Sequence, residues 1–241
     1  MTTTVDEIAP KIYRLSTFVP EIGPTGFTFN QFLLDDDEPL LFHAGHRSLF
    51  PSVKAAIETV MPIERLRWIT FGHVESDECG AMNDFLAVAP QAEVAHNAIG
   101  CMVSLNEMCD RPPRPMADGE SIKLGTMTVR SIDTPHVPHG WEARVLFEET
   151  TETLLCGDLF TTLGNGPALT SNDIVDASIE AENIFGYSCL SPTTPTTIAS
   201  LGALAPKTLA TMHGSSFTGD CAGALQALAA DYQRRLDAAA S

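Results

Sequence analysis

Basic residues are scarce in this chain of 241 residues: 14 lysines and arginines stand against 31 acids, for a formal net charge of −17. That balance argues against nucleic acid or an anionic bilayer as a large-area partner, because both demand a cationic face. Cysteine is sparse and dispersed. Cys79, Cys101, Cys109, Cys156, Cys189 and Cys221 form no C-x-x-C pair, so they read as reduced, packed thiols, not a disulfide framework or a zinc ribbon. The first fifteen residues, MTTTVDEIAPKIYRL, lack a basic segment followed by an apolar run, which predicts no secretory signal and a cytoplasmic protein. Residues 183–206 carry no charge, but Gly186, Pro192, Pro195 and several hydroxyl residues spoil a membrane span. They are expected to form a linker leading into a short helix. No repeat of 20 to 50 residues exists to build a solenoid. No G-x-G-x-x-G is found either, so this chain is expected to bind no flavin by itself.

What is present is a mixed pattern of strand and helix. Hydrophobic residues make up 44% of the chain, enough for a proper core, and one domain over 1–241 is expected. KIYRLSTFV, FTFNQFLLD and PLLFHAG read as an antiparallel meander. Apolar spacing predicts a helix near 51–61, followed by a buried strand in LRWITFG. ECGAMNDFLAVAP reads as a second helix ending before Pro90. More strands follow in IKLGTMTVRSIDTP, then a hairpin in ARVLFEETTETLLCGDLF with EETTET at its tip. A helical TTIASLGALAP, a strand in TLATMHG and an amphipathic helix in CAGALQALAADYQRRLDAA close the chain. The order predicts a layered α/β protein with the sheets inside.

The stretch FGHVESDECG, residues 71–80, sets His73, Glu75 and Asp77 at every second position on a strand-to-helix loop. His136 and His139 in DTPHVPHGW, Asp158 in LLCGDLF and His213 in ATMHGSS each stand just after an apolar run. Strand ends along one edge of layered sheets converge, so these residues can meet. Glu75, Asp77 and Asp158 would then crowd three negative charges together, and a pair about 4 Å apart repels by roughly 4 kcal/mol at an effective dielectric of about 20. Uncompensated, their pKa values would climb and the cluster would splay. No lysine or arginine lies within five residues of any of the three. A pair of divalent or trivalent metal ions is the economical counter-charge, with imidazoles filling the other positions.

These motifs resemble the metallo-β-lactamase fold, and specifically the diiron domain of flavodiiron proteins. Most proteins of that fold carry H-x-H-x-D-H, which favours zinc; here Glu75 replaces the second histidine to give H-x-E-x-D. CGAMNDFLAVAP, GDLF and HGSS extend the similarity over nearly the whole chain. The resemblance implies a four-layered αββα sandwich of the α/β class. It also implies one iron held by His73, Glu75 and a histidine of PHVPH, a second held by Asp77 and His213, and Asp158 bridging. Eighteen residues separate His139 from Asp158, the flavodiiron interval, against twenty-one for His136. His136, however, opens the H-x-P pattern of the family, and the surplus could be absorbed in the EETTET tip. His136 is therefore the expected ligand, with His139 beside the site or as the alternative. Glu75 adds a hard oxygen donor and a negative charge, favouring iron or manganese over zinc.

Two departures from the family stand out. Glu78 occupies the position of a histidine, which predicts more acidic surroundings for the second metal or an alternative ligand there. No flavodoxin-like stretch is read in these 241 residues, so turnover is expected to need an external donor. The leading expectation is a non-haem diiron protein that binds, and with a reductase reduces, dioxygen or nitric oxide. The alternatives are a dinuclear metal-dependent hydrolase and a non-enzymatic oxygen-sensing module read by a signalling partner. A homodimer is compatible with the resemblance. Among the other candidates, His43 and His46 are expected in structural or pocket-rim roles and His96 as ordinary. Trp141 is expected to pack, and Phe160 and Tyr187 to line the pocket.

Overall fold

Alternation along the strands sets the layers. In a computed structural model, which describes residues 1–240, the first sheet contains β1 (Thr3–Ala9), β2 (Ile12–Val19), β3 (Phe27–Leu34), β4 (Leu40–Phe42), β5 (Trp68–Thr70), β6 (Glu93–Asn97) and β7 (Arg114–Met116), in that order. The meander β1–β4 is antiparallel, with Ile12 opposite Leu34 and Val19 opposite Phe27, and β4 to β7 run parallel. The second sheet contains β8 (Ser121–Lys123), β9 (Thr128–Asp133), β10 (Arg144–Glu148), β11 (Thr153–Leu155), β12 (Leu169–Thr170), β13 (Thr208–Ala210) and β14 (Ser216–Thr218). Its spatial order is β12-β14-β13-β11-β10-β9-β8.

Successive residues of a strand face opposite sides, and here every side is covered. Phe27, Phe29 and Leu33 of β3, with Leu41 and Ile69, pack outward against Val53, Ile57, Phe85 and Leu86 of the helices Phe50–Ile57 and Met82–Val88. Phe32 and Leu34, with Leu40 and Phe42, turn inward to meet Val129, Leu146 and Leu155 of the second sheet. Val145, Phe147 and Leu154 then face Ile198, Leu225 and Leu228 of the helices Thr194–Leu201 and Cys221–Ala239. Three apolar cores separate four layers, αββα. Asp220 caps the last helix by accepting the Gly223 N–H at 2.8 Å.

Several elements depart from the sequence expectations. The second predicted helix breaks into Ser76–Cys79 and Met82–Val88, because the chain turns so that the Ala81 N–H can donate to the Gly45 carbonyl at 2.8 Å. Residues 183–206 are not linker from their start: a helix runs over Val175–Phe185, opened by the Asp173 carboxylate on the Val175 and Asp176 N–H groups and closed by Gly186 in the left-handed conformation. The short β6, β7, β12 and β14 carried too few residues for a visible period. Among the described residues, no helix is long and apolar enough to cross a membrane.

Candidate metal centre

The chain leaves the sheet at the end of β5, where Trp68, Ile69 and Thr70 are all buried, and the next residues form the ligand-bearing loop. His73 Nε2 lies 2.7 Å from Glu75 Oε2. The second buried strand end, at β11, supplies Asp158 after the turn Cys156–Gly157. The loop following β13 supplies His213, whose Nδ1 faces the Thr28 carbonyl at 2.8 Å. His139 arrives from the turn between β9 and β10, with its Nε2 2.8 Å from His73 Nε2 and 3.0 Å from Glu75 Oε2. Two ring nitrogens aimed at one carboxylate oxygen and at each other are a set of donors around a shared point. Donors each about 2.1 Å from one ion lie roughly 3 Å apart, and one atom each of His73, Glu75, His139 and Asp158 falls within 4.8 Å of the others.

Asp158 divides its oxygens. Oδ2 lies 3.5 Å from His139 Nε2 and 3.9 Å from His73 Nε2, whereas Oδ1 lies 3.4 Å from His213 Nε2. Asp77 Oδ2 is also 3.4 Å from His213 Nε2. The site thus has two corners joined by one carboxylate: His73, Glu75 and His139 on one side, Asp77 and His213 on the other. Asp77 Oδ1, Asp158 Oδ1 and His139 Nδ1 are buried without a hydrogen-bond partner, which a buried polar atom tolerates poorly. Unsatisfied carboxylate oxygens between imidazole nitrogens are what a cation pair would complete.

Electrostatics point the same way. Among the described residues, no lysine or arginine forms an ion pair with Glu75, Asp77, Glu78 or Asp158. The only partners are histidines. Burial alone would lower the His73 pKa, yet Glu78, Glu75 and Asp158 push it up to about 12. His213 is raised to about 10 against burial by Asp158 and Asp77. Burial also opposes the rise at His139, which Glu75 drives. Glu75, hydrogen-bonded by His139 and His73, is held well below the usual carboxylate range. The cluster therefore calls for positive charge that protons on imidazole, or metal ions, can supply.

His136 and Glu78 take other places than the sequence led us to expect. His136 is exposed, with φ +66°. In the turn 134–140, held by Val137 N–H to Thr134 O and His136 N–H to Gly140 O, it is Val137 that enters the core, turning His136 out. His139 occupies the pocket. The surplus assigned to the hairpin tip does not exist: only 149–152 lie between β10 and β11, and the Glu148 carboxylate clamps the N–H groups of Thr150 and Thr151. Glu78 does not reach the Asp77 corner at all. It is fully buried on the far side of His73, so the surroundings of that corner are not made more acidic by it.

Among the other side chains, Trp141 and Phe160 lie elsewhere than expected and Glu142 was missed, whereas His43, His46 and His96 take the structural places expected of them and Tyr187 lines the pocket. Trp141 is 54% exposed and not packed. Phe160 lies in the outer core and not in the pocket. His43 is fully buried beneath the site, His46 packs its ring edge on Phe29, and His96 is buried, its pKa lowered by burial to about 3. Glu142, unremarked in the sequence, accepts the Val74 N–H at 3.0 Å and so holds the ligand loop. A pocket of about 200 Å³ opens over both corners, walled by Ile22, Phe27, Phe185 and Tyr187. Tyr187 donates its hydroxyl to the Asp158 carbonyl at 3.3 Å.

The comparisons with known proteins agree with this architecture. The family model described as ODP family beta lactamase matches residues 27–214. The rubredoxin-oxygen oxidoreductase of Megalodesulfovibrio gigas is 23% identical over 215 residues, covering 85% of this chain and 53% of that protein. A putative diflavin flavoprotein A 2 from Synechocystis is 23% identical over 171 residues, covering 68% of this chain and 28% of its own length. This chain thus spans about half or less of these relatives. Among solved structures, rubredoxin oxygen:oxidoreductase from Desulfovibrio gigas superposes with a TM-score of 0.79 at 18% identity, covering 95% of this chain and 62% of that one. The metal-soaked flavodiiron core of Flv1 from Synechocystis gives 0.80 at 18% identity, covering 98% and 61%. A fragment, residues 1–254, of a putative diflavin flavoprotein A 5 from Nostoc gives 0.82 at 15% identity, covering 99% and 98%. At these identities the structural likeness establishes the fold.

Proposed function

The chain belongs to the ODP beta-lactamase family, and from that membership we propose that it is a non-haem diiron protein which binds dioxygen, or nitric oxide, and reduces it with electrons from an external donor. One observation carries the reading: His73 and His139, both on Glu75 Oε2, face Oδ2 of Asp158 while His213, beside Asp77, faces Oδ1. The donors fit two ions, His73, Glu75 and His139 holding one, Asp77 and His213 the other, with Asp158 shared. Two irons there would supply the electrons that a diatomic takes up.

This chain's own residues supply the rest. Glu75 contributes a hard anionic oxygen where zinc-binding proteins of the fold have imidazole, which favours iron or manganese. Ile22, Phe27 and Phe185 line the pocket with apolar surface, which limits water beside the donors and suits a small neutral ligand. The volume of about 200 Å³ lies below the range usual for drug-sized ligands, about 300–1,000 Å³. The oxidoreductase of Megalodesulfovibrio gigas is named for rubredoxin and oxygen, which supports dioxygen as the substrate and a redox protein as the donor. Residues 1–241 act as one domain in the cytoplasm, where its cysteines remain thiols.

The test is anaerobic loading with ferrous iron followed by exposure to oxygen or nitric oxide. Two iron equivalents, a new visible absorption band and gas uptake are expected. Two equivalents of zinc in protein purified without added metal, together with turnover of an ester or lactam, would instead establish the hydrolase.

A further inference from the structure

The ligand loop closes on a carboxylate that no metal would touch. Glu78 is fully buried. Its Oε2 accepts the N–H groups of Gly72 at 2.7 Å and His73 at 2.8 Å. Its Oε1 lies 3.3 Å from His73 Nδ1 and 3.3 Å from His43 Nε2. Successive residues of a helix point about 100° apart. The turn that sends Asp77 toward His213 therefore sends Glu78 to the opposite side, behind His73. The loop is shaped for this approach: a Cβ on Gly72 would lie 3.1 Å from Glu78 Oε2 and 3.3 Å from the Arg144 carbonyl.

We propose that Glu78 is a positioning residue which acts through His73 on the metal of the His73–Glu75–His139 corner, with His43 bracing it from below. The proposal rests on the diiron reading of the site. Glu78 Oε2 is occupied by two backbone N–H groups, and Oε1, buried without a hydrogen bond of its own, faces His73 Nδ1 and His43 Nε2 behind His73 and outside the pocket lining, so its contacts bear on both the backbone and the ring of His73. A carboxylate facing Nδ1 holds a ring proton there, so a cation displacing the Nε2 proton now shared with Glu75 Oε2 would meet the Nε2 lone pair; it also makes the imidazole a stronger donor to that cation. The three pocket histidines differ in this respect. His213 has a backbone carbonyl at Nδ1, His139 has no partner at Nδ1, and only His73 has a charged one. His43 cannot drift away, since its backbone N–H donates to Thr70 O, its Nδ1 faces Asn30 O at 3.2 Å, and its ring lies on Phe42.

The experiment titrates zinc and ferrous iron into the full chain against a chromophoric chelator, for wild type and Glu78→Gln. Glutamine retains a carbonyl for the Gly72 and His73 N–H groups but removes the charge at Nδ1. One of two binding steps is expected to weaken by roughly 10- to 100-fold, with the other step and the circular dichroism unchanged. Wild-type affinity at both steps overturns the proposal, because a purely structural Glu78 is replaced by glutamine without loss. A second measurement needs no variant and decides the matter if Glu78→Gln fails to fold. In ¹H–¹⁵N spectra of the zinc-loaded wild type, the His73 Nδ1 proton is expected clearly downfield of the His213 Nδ1 proton, because its acceptor is a carboxylate and not a neutral carbonyl, and a His73 proton no further downfield than that of His213 overturns the proposal. A wild type that takes up no metal overturns the diiron reading as well, which separates that failure from one confined to Glu78.

Discussion

The floor and the rim of the pocket are built differently. On the floor, His73, Asp158 and His213 stand just after buried strand ends, each below 10% exposed, and both rings have an acceptor behind Nδ1. On the rim, Glu75 and His139 have side chains 52% and 26% exposed, and His139 sits on a turn with its Nδ1 unsatisfied. The difference teaches where the preorganisation lies. Metal affinity that needs no rearrangement belongs to the floor, while the rim can adjust when a ligand enters.

Removing the joint of the floor is the most severe way to test this. Asp158→Ala deletes the carboxylate that, alone among the described residues, faces both corners. Metal content is expected to fall from two equivalents to none while the fold persists, as metal analysis beside circular dichroism would read. Retention of even one tight equivalent would mean the corners are independent. His139→Ala comes next: it should remove one equivalent only, whereas His136→Ala, at an exposed position, should keep both. The reverse pattern would restore His136 to the site.

How much of this was legible in the sequence divides along the same line. His73, Asp158 and His213 each stand three residues past a buried strand end, at Thr70, Leu155 and Ala210, close enough to be carried to the sheet edge whatever the loops do, and Glu75 and Asp77 follow His73 at every second position. The layers were legible too, since FTFNQFLL alternates between two cores. The choice between His136 and His139 depended on which residue of a seven-residue turn enters the core. Val137 decides that through packing with distant helices, and no local period encodes it. Glu78 beside Asp77 looked like one acidic cluster; only the helical turn that separates them by direction shows that one faces the pocket and the other the interior. Trp141 was misjudged because size predicts burial only on average.

A remote change sharpens the comparison by loosening the floor without touching it. Asp36, between β3 and β4, reaches the β8–β9 turn of the other sheet, accepting the N–H groups of Thr126 and Met127 at 2.6 and 2.7 Å and pairing with Lys11 at 3.0 Å. Burial would raise its pKa, but Met127, Lys11 and Thr126 outweigh that and lower it to about 2 from 3.8. A carboxyl so depressed contributes about 2 kcal/mol, fully present above pH 3.8 and lost as pH falls through about 2. Asp36→Asn should therefore cost about 2 kcal/mol at neutral pH in denaturant melts, with the deficit closing in strong acid. Metal stoichiometry should not change.

The smallest effect is expected at the rim itself. Trp141 follows His139 by two residues and is 54% exposed, so little apolar area returns to water when it is cut back. Trp141→Ala should change stability by no more than about 0.5 kcal/mol and leave both metals in place. A fully packed tryptophan would instead cost about 3–5 kcal/mol on truncation. A loss of that size in a denaturant melt would mean that Trp141 folds down onto the site in solution, and the rim would then be as preorganised as the floor. An unchanged melting curve for Trp141→Ala would leave the His139 turn held by Val137 in the core and by the Cys189 N–H on the Pro138 carbonyl at 2.6 Å, whereas the His73 loop is held by the buried Glu78 carboxylate.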